Sequence, residues 1–195
     1  ESLEAFQAGM AAHGKAIILD LRAKTRCGTV RVGAAPVGLL LNRKQNLLYC
    51  ANSGSDTVSV LDTTTDRVIR TINLRPAILR GLPGAGPLGL ALSDDEQTLY
   101  VTLGDMEAIA VVQARTGVLR GYVPTGWLPT SMVQVSGHLL VASAKGTQAA
   151  NPNSKPVGTK GTYIQDIIAG TVSSFPTPTT QDLRVMTPRV IANNR

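Results

Sequence analysis

Apolar and polar residues alternate along most of this chain with a period of two, which is typical of β-strands. The alternation is clearest between residues 37 and 74, where four short segments are separated by connectors rich in Asn, Asp, Gly and Thr. These residue types suit tight turns, because they tolerate a left-handed backbone or form hydrogen bonds with it. The pattern predicts antiparallel strands at residues 37–41, 47–51, 57–62 and 67–74.

A short motif stands before each such group of strands. The sequence Gly-x-x-Pro begins at Gly33, Gly84 and Gly126, at intervals of 51 and 42 residues. A tyrosine follows thirteen residues after each of the first two prolines, at Tyr49 and Tyr100, and residues 139–142 take the equivalent place two residues early in the third copy. A repeat of about 42 residues with four strands has the size of one blade of a β-propeller.

The same pattern continues on both sides of the first copy. The second copy predicts strands at residues 88–92, 98–103, 108–112 and 118–123. The third copy predicts strands at residues 131–135, 139–143 and 170–175, and a half blade at residues 15–21 and 25–32 precedes the first copy. The predicted fold is therefore all-β, with about three and a half blades. Propellers close with four to eight blades, so a partial propeller is expected.

Both ends of the chain predict short helices. Residues 2–12 have one apolar face, and residues 180–186 and 188–193 predict a second helical stretch that restarts at Pro188 with Thr187 as its cap. The predicted organisation is an N-terminal helical segment at residues 1–14, blades at residues 15–178, and a C-terminal helical segment or linker at residues 179–195.

Composition narrows the class further. Apolar residues make up 43 % of the chain and charged residues 16 %, which excludes an intrinsically disordered tail. The sequence contains no apolar run near the roughly 18 residues of a membrane-spanning helix. It begins at Glu1 without a charged and apolar leader, so we expect either that a leader has been removed or that the chain was cut from a longer one.

The net charge of +6 does not indicate nucleic-acid binding. The basic residues Arg22, Lys24 and Arg26 alternate along an extended segment, where they are predicted to lie on the solvent face of an outer strand and to discourage edge-to-edge aggregation. Seven aromatic residues, scattered over the chain, do not form a surface for stacking bases.

Catalytic and metal-binding chemistry is not predicted. His13 and His138 are the only histidines, and His138 falls in a predicted surface turn. The acids at residues 94–96 are adjacent, so their side chains diverge and are expected to solvate a turn rather than to act as an acid and base pair. Residues 84–89 match Gly-x-Gly-x-x-Gly but lack the following helix that a dinucleotide site needs. The sequence therefore predicts no catalytic residue, no metal and no cofactor.

Three further residues have structural interpretations. Cys27 and Cys50 are too few for a disulfide framework, and two unpaired thiols are expected, although an exported protein would allow them to pair. Asp62 is predicted to end a strand and to fix the next turn by accepting hydrogen bonds from the backbone amides of Thr64 or Thr65.

The candidate ligand-binding residues lie in and near one long loop. Residues 144–169 form a stretch rich in Gly, Pro, Asn and Lys, and loops of this length are usually functional or disordered. Its basic character suits an anionic ligand or an adjoining domain. The only tryptophan lies in the third Gly-x-x-Pro motif, where it either lines a pocket or packs between blades. The candidate residues are Trp127, Lys145, Asn151, Asn153 and Lys155.

Residues 48–62 resemble the YVTN-type (YncE-like) β-propeller repeat, with Cys50 where the namesake stretch has Val. Other segments resemble the last blades of a narrower group, in which such a propeller precedes a phosphoesterase domain of the alkaline-phosphatase superfamily. They are residues 126–130, 144–153, 170–173 and 187–194. The likeness covers residues 15–194, and Pro188 departs from it by interrupting what is usually a plain helix.

The resemblance implies an exported bacterial protein, periplasmic or extracellular, whose propeller binds and positions other groups. We expect a non-catalytic binding or scaffolding module. The alternative is part of an enzyme, either through a phosphoesterase domain outside this chain or through a pocket like that of propeller lactonases. The implied partners are upstream propeller blades, a downstream phosphoesterase domain, and an unknown anionic ligand or protein partner.

Overall fold

The structure, a computed structural model, describes residues 14–20, 22–79, 84–147 and 168–195. The helix predicted at residues 2–12 lies outside the described residues. Sheet 1 contains β1 (Gly14–Asp20) and β2 (Thr25–Val32). Sheet 2 contains β3 (Pro36–Leu41), β4 (Leu47–Asn52), β5 (Thr57–Asp62) and β6 (Arg67–Asn73). Sheet 3 contains β7 (Pro87–Leu92), β8 (Thr98–Leu103), β9 (Ala108–Gln113) and β10 (Val118–Pro124). Sheet 4 contains β11 (Trp127–Val135), β12 (His138–Gly146) and β13 (Thr171–Pro176).

All four sheets are antiparallel, and their strands lie in chain order. The strands predicted for sheets 2 and 3 are confirmed, each to within one residue at either end. In sheet 4 the structure differs from the prediction at two places. Strand β11 begins at Trp127 rather than at residue 131, and β12 continues to Gly146, into the predicted loop. Trp127 pairs with Gly146 across the two strands, and this pairing makes both strands longer than predicted.

Side chains of Asn and Asp determine the hairpin turns of sheet 2. The Oδ1 atom of Asn42 accepts hydrogen bonds from the backbone amides of Asn46 and Leu47, at 3.0 and 2.9 Å. The Oδ1 atom of Asp62 accepts hydrogen bonds from the amides of Thr64 and Thr65, at 2.8 and 3.1 Å, as predicted. Hydrogen bonds from the Thr64 side chain and from these amides hold the pKa of Asp62 below its ordinary value.

Neighbouring sheets stack face to face through apolar side chains. The largest cluster fills the space between sheets 2 and 3, and its fully buried members include Val58, Val60, Leu99, Leu103 and Val112. A second cluster joins sheets 3 and 4 through Ile109, Leu139 and Val141, and a smaller one joins sheets 1 and 2 through Val30, Cys50 and Leu61.

Glycines let the first strands of adjacent sheets approach closely. A Cβ atom on Gly38 in β3 would lie 2.1 Å from the carbonyl oxygen of Leu88 in β7. A Cβ atom on Gly89 in β7 would lie 2.9 Å from the Cα atom of Ser131 in β11. Each glycine stands two residues after the proline of its Gly-x-x-Pro motif, so the repeat also specifies how tightly its sheets stack.

A single continuous helix, α1 (Thr180–Asn193), follows sheet 4. The prediction of a restart at Pro188 with Thr187 as the cap is wrong. The N-cap is Thr179, whose side chain accepts a hydrogen bond from the amide of Asp182 and forms a capping box with it. The Oγ1 atom of Thr187 instead accepts a hydrogen bond from the amide of Tyr122 in β10, at 2.9 Å. Packing against sheet 3, where Leu183 and Val190 are buried, keeps the helix continuous through the proline.

The basic segment near the start of the chain also differs in part from its prediction. Arg26 is exposed on β2, the outer strand of sheet 1, as expected. Arg22 and Lys24 lie in the turn between β1 and β2 rather than on the strand. These charges therefore surround one end of the two-stranded sheet.

Candidate functional site

The three Gly-x-x-Pro motifs occupy equivalent corners of sheets 2, 3 and 4, as predicted. Each proline lies at or near the start of the first strand of its sheet, and it pairs with a residue in the last part of the second strand. The pairs are Pro36 with Asn52, Pro87 with Leu103, and Pro129 with Ser143. The residue before each proline has a positive φ, and these residues are Ala35, Gly86 and Leu128. The shared backbone shape explains why the motif repeats.

The corner of sheet 4 brings together two of the predicted ligand-binding residues. Trp127 pairs with Gly146, so Lys145, the preceding residue, lies at the same end of the sheet. The Trp127 side chain is 38 % exposed, and Lys145 is also exposed. Asn151, Asn153 and Lys155 lie outside the described residues. The described part of the candidate site is therefore an exposed indole and an ammonium group at one corner.

The polar layer beneath these corners differs between the sheets. In sheet 2 the buried side chain of Asn52 donates hydrogen bonds to the hydroxyls of Thr57 and Ser59, at 3.1 and 2.9 Å. The equivalent pair in sheet 4 is Ser143 and Thr171, which lie opposite each other. Their hydroxyls are buried and have no hydrogen-bond partner among the residues that the structure describes. The serine side chain is too short to make the contacts that asparagine makes. The corner of sheet 4, as far as the structure describes it, therefore keeps two hydroxyls unpaired, whereas the equivalent polar groups of sheet 2 bind one another.

Sheet 2 presents an open apolar face toward the N-terminal side. Val37, Leu39 and Leu41 on β3 are 56, 66 and 47 % exposed. A cavity of about 500 Å³ lies between this face and sheet 1, lined also by Ile17 and Leu48. Sheet 1 has two strands where sheet 2 has four, so half of the surface that would cover β3 is absent from the described chain.

Sheet 4 presents a second open face at the other end of the stack. Val133, Val135 and Val172 are 53, 47 and 74 % exposed. Ser131 is exposed and stands two residues after Pro129, the place that Gly38 and Gly89 take in the other copies. A small residue is therefore present where a further inner strand would approach, although none covers it among the described residues.

Few side chains among the described residues are placed to act as a nucleophile, a base or a metal ligand. No group of three or more His, Cys, Asp or Glu side chains is close enough to hold a metal ion in the described part of the chain. His138 is exposed, and its Nδ1 atom lies 3.2 Å from the carbonyl oxygen of Ser136. The carboxylate of Asp95 accepts hydrogen bonds from Ser93 and Gln97, which lower its pKa and fix it in a turn.

The two cysteines are both free thiols, in very different surroundings. Cys27 is exposed, whereas Cys50 is completely buried between sheets 1 and 2. Burial raises the pKa of the Cys50 thiol to about 11. A thiol reacts in its thiolate form. Cys50 is therefore unreactive for two reasons: reagents cannot reach it, and its thiol stays protonated near neutral pH.

We therefore expect one rapid reaction per chain with Ellman's reagent in native buffer at pH 8, and a second one only in denaturant. The Cys27→Ser variant should lose the rapid reaction, while Cys50→Ser should keep it. Two rapid reactions in the native protein would contradict the buried position of Cys50.

These features define the class of fold. Repeated four-stranded antiparallel sheets, stacked face to face with their first strands adjacent, are blades of a β-propeller, and the described chain holds two complete and two partial blades. The described part of the chain includes no helix with the length and hydropathy needed to cross a membrane.

Comparison with known proteins agrees on the fold. No protein-family model matches the chain, and no curated protein matches it. Among solved structures, it is similar to hydrazine synthase of Kuenenia stuttgartiensis, with a TM-score of 0.61, 20 % identity and coverage of 83 % of this chain. It is also similar to a chain of the mitotic checkpoint complex, with a TM-score of 0.56, 18 % identity and coverage of 67 %. Both are propeller-type folds, and this chain spans 40 and 41 % of their lengths.

Proposed function

We propose that this chain is a non-catalytic binding or scaffolding segment of a larger β-propeller. Its direct partners in this proposal are further blades that cover the two open faces, upstream of sheet 1 and beside sheet 4. The resemblance to YVTN-type repeats supports an exported bacterial protein, located in the periplasm or outside the cell. The corner that holds Trp127 and Lys145 is the proposed binding site for an anionic group of a ligand or an adjoining domain.

One internal comparison carries the proposal. Leu39 and Leu41 stand three and five residues after the proline of their repeat, as Leu90 and Leu92 do in the next copy. Leu90 and Leu92 pack against the core between sheets 2 and 3. Leu39 and Leu41 are 66 and 47 % exposed. Since the same repeat position is covered in one blade and uncovered in its neighbour, we infer that the blade beside sheet 2 is incomplete, because sheet 1 supplies only two of its strands in the described part of the chain.

The energetic consequence is large. Each blade buries both of its faces against neighbours, and terminal units of a repeat array need a partner or a cap. At about 25 cal/mol per Å² of apolar surface, two open faces of a few hundred Å² each forgo on the order of 10 kcal/mol. This is comparable with the whole stability of a typical domain.

We expect the isolated 195-residue chain to associate and to bind a hydrophobic dye. In light scattering its mass should rise with concentration above the monomer value of 20.5 kDa. Placing a charge on both faces, in Leu39→Glu with Val172→Glu, should give a monomer, because a carboxylate opposes apolar contact. Val185→Glu is the matched control, since Val185 is 68 % exposed on α1 and lies on neither face.

A compact monomer that binds no dye and unfolds cooperatively at high denaturant would overturn the proposal, because the chain would then be complete by itself. Equal association of the double variant and the native chain would show that the open faces are not the contact surfaces. An assay with a phosphate ester and a lactone tests the hydrolase alternatives. We expect no turnover, and turnover that persists through repurification would favour an enzyme.

A further inference from the structure

A cavity of about 740 Å³ lies between helix α1 and strands β8, β9 and β10 of sheet 3, and none of the exposed apolar residues of the two open faces lines it. Its walls include Tyr100, Val111, Gln113 and Arg120 from sheet 3, and Leu183 and Arg184 from the helix. The volume falls within the range of small-molecule sites in proteins, about 300–1,000 Å³. Nothing in the sequence motifs identifies it, because its two walls are about 70 residues apart in the chain.

Two guanidinium groups give the cavity its charge. Arg120 comes from β10 and Arg184 from α1, and both are exposed. Neither forms an ion pair with a carboxylate within the described residues, and Arg120 donates a hydrogen bond to the Oε1 atom of Gln113. The described residues that line the cavity include no acidic side chain.

Two acids that are close in sequence to lining residues are already engaged by their own turns. Asp95, in the turn between β7 and β8, accepts hydrogen bonds from the Ser93 hydroxyl and the Gln97 amide. Asp182, two residues before Arg184, accepts hydrogen bonds from the amide and hydroxyl of Thr179 in the capping box. Neither carboxylate forms an ion pair with Arg120 or Arg184 among the described residues, so the positive charge of the cavity is left for a ligand.

The remaining wall is mixed. Tyr100, Val111 and Leu183 contribute apolar surface, and Tyr100 is only 4 % exposed. Amide and hydroxyl side chains also line the cavity: Gln97, Thr98, Gln113, Thr180 and Thr187. Guanidinium groups bind carboxylate and phosphate through paired hydrogen bonds. Two such groups, together with the apolar part of the wall, suit a molecule that carries two acidic groups on an apolar body.

We propose that this cavity binds a small organic dianion with an aromatic or apolar body. The site exists only when the helix is docked, because each element supplies one arginine. It goes beyond the proposed function, since it uses neither open face nor the corner at Trp127.

The test is equilibrium dialysis of the 195-residue chain against radiolabelled isophthalate, an aromatic dicarboxylate, at low ionic strength. We expect saturable binding that weakens at least tenfold in Arg120→Gln with Arg184→Gln. The matched control is Arg115→Gln with Arg189→Gln, two exposed arginines that do not line the cavity. Both double variants reduce the net charge from +6 to +4, so the control should change the affinity less than twofold.

Benzoate and inorganic phosphate should each bind at least tenfold more weakly than isophthalate. Benzoate lacks the second acidic group, and phosphate lacks the apolar body.

Equal losses in both double variants would show non-specific attraction to a basic protein and would overturn the proposal. The absence of saturable binding would overturn it as well.

Arg120→Lys with Arg184→Lys keeps the charge but loses the paired donors of the guanidinium groups, so it should bind isophthalate with intermediate affinity. This variant gives a second measurement if the glutamine variant folds poorly by circular dichroism. The Leu39→Glu with Val172→Glu variant should bind isophthalate normally, so failure of the proposed propeller contacts and failure of this site are distinguishable.

Discussion

Replacing Gly38 by alanine is expected to lower the free energy of unfolding by about 1–3 kcal/mol, the usual cost of inserting a methyl group where packing leaves no room. The added Cβ atom would lie 2.1 Å from the carbonyl oxygen of Leu88. That oxygen belongs to the backbone of β7, so relief requires sheets 2 and 3 to move apart rather than a side chain to rotate. Moving them apart would also loosen the largest apolar cluster of the structure.

The measurement is urea unfolding followed by circular dichroism, in which the midpoint should fall by roughly 1 M for a typical dependence on urea. The control is Gly28→Ala in β2. A Cβ atom there would lie 3.4 Å from the Cδ1 atom of Ile18, an ordinary contact. Because alanine restricts the unfolded chain more than glycine does, Gly28→Ala should be neutral or slightly stabilising. Equal midpoints for both variants would mean that the close approach of β3 and β7 does not hold in solution.

Replacing Asp56 by alanine is expected to lower the free energy of unfolding by about 2–6 kcal/mol, because it leaves two buried amides without acceptors at about 1–3 kcal/mol each. The Oδ1 atom of Asp56, in the turn between β4 and β5, accepts hydrogen bonds from the amides of Ala85 and Gly86, at 2.7 and 3.1 Å. Its Oδ2 atom lies 3.5 Å from the Nη1 atom of Arg75. Through these contacts one aspartate of sheet 2 fixes the Gly-x-x-Pro motif that begins sheet 3.

Two variants separate these contributions. Asp66 has the same φ of 54° and is exposed, so Asp66→Ala measures the cost of placing alanine in a left-handed backbone, about 1 kcal/mol. Asp56→Asn keeps an accepting oxygen for the two amides but places an uncharged NH2 group opposite Arg75 in place of Oδ2, so it should cost about 1 kcal/mol. If Asp56→Asn were as destabilising as Asp56→Ala, the ion pair rather than the amide contacts would hold the two sheets together.

The candidate sites differ in how much of each could be predicted from the sequence. Trp127 and Lys145 were predicted from the Gly-x-x-Pro motif and the basic loop. The pairing of Trp127 with Gly146 places both at one corner of sheet 4, and ligand binding there stays a prediction. Asp62 was found because an aspartate at a strand end contacts residues two and three positions later. Arg120 and Arg184 were not found, since no local pattern links a strand residue to a helix residue far along the chain.

The sequence alone determined the strands of this protein, the turns between them and their grouping into blades. Period-two alternation, turn residues and the repeated Gly-x-x-Pro motif identify the strands and their grouping into blades, because these signals act over fewer than about ten residues. The tertiary structure decided the rest. It kept α1 continuous through Pro188, because packing of Leu183 and Val190 outweighs the missing backbone hydrogen bond. It also left Leu39 exposed where the equivalent Leu90 is packed, since burial depends on which blade stands beside a residue and not on the residue itself.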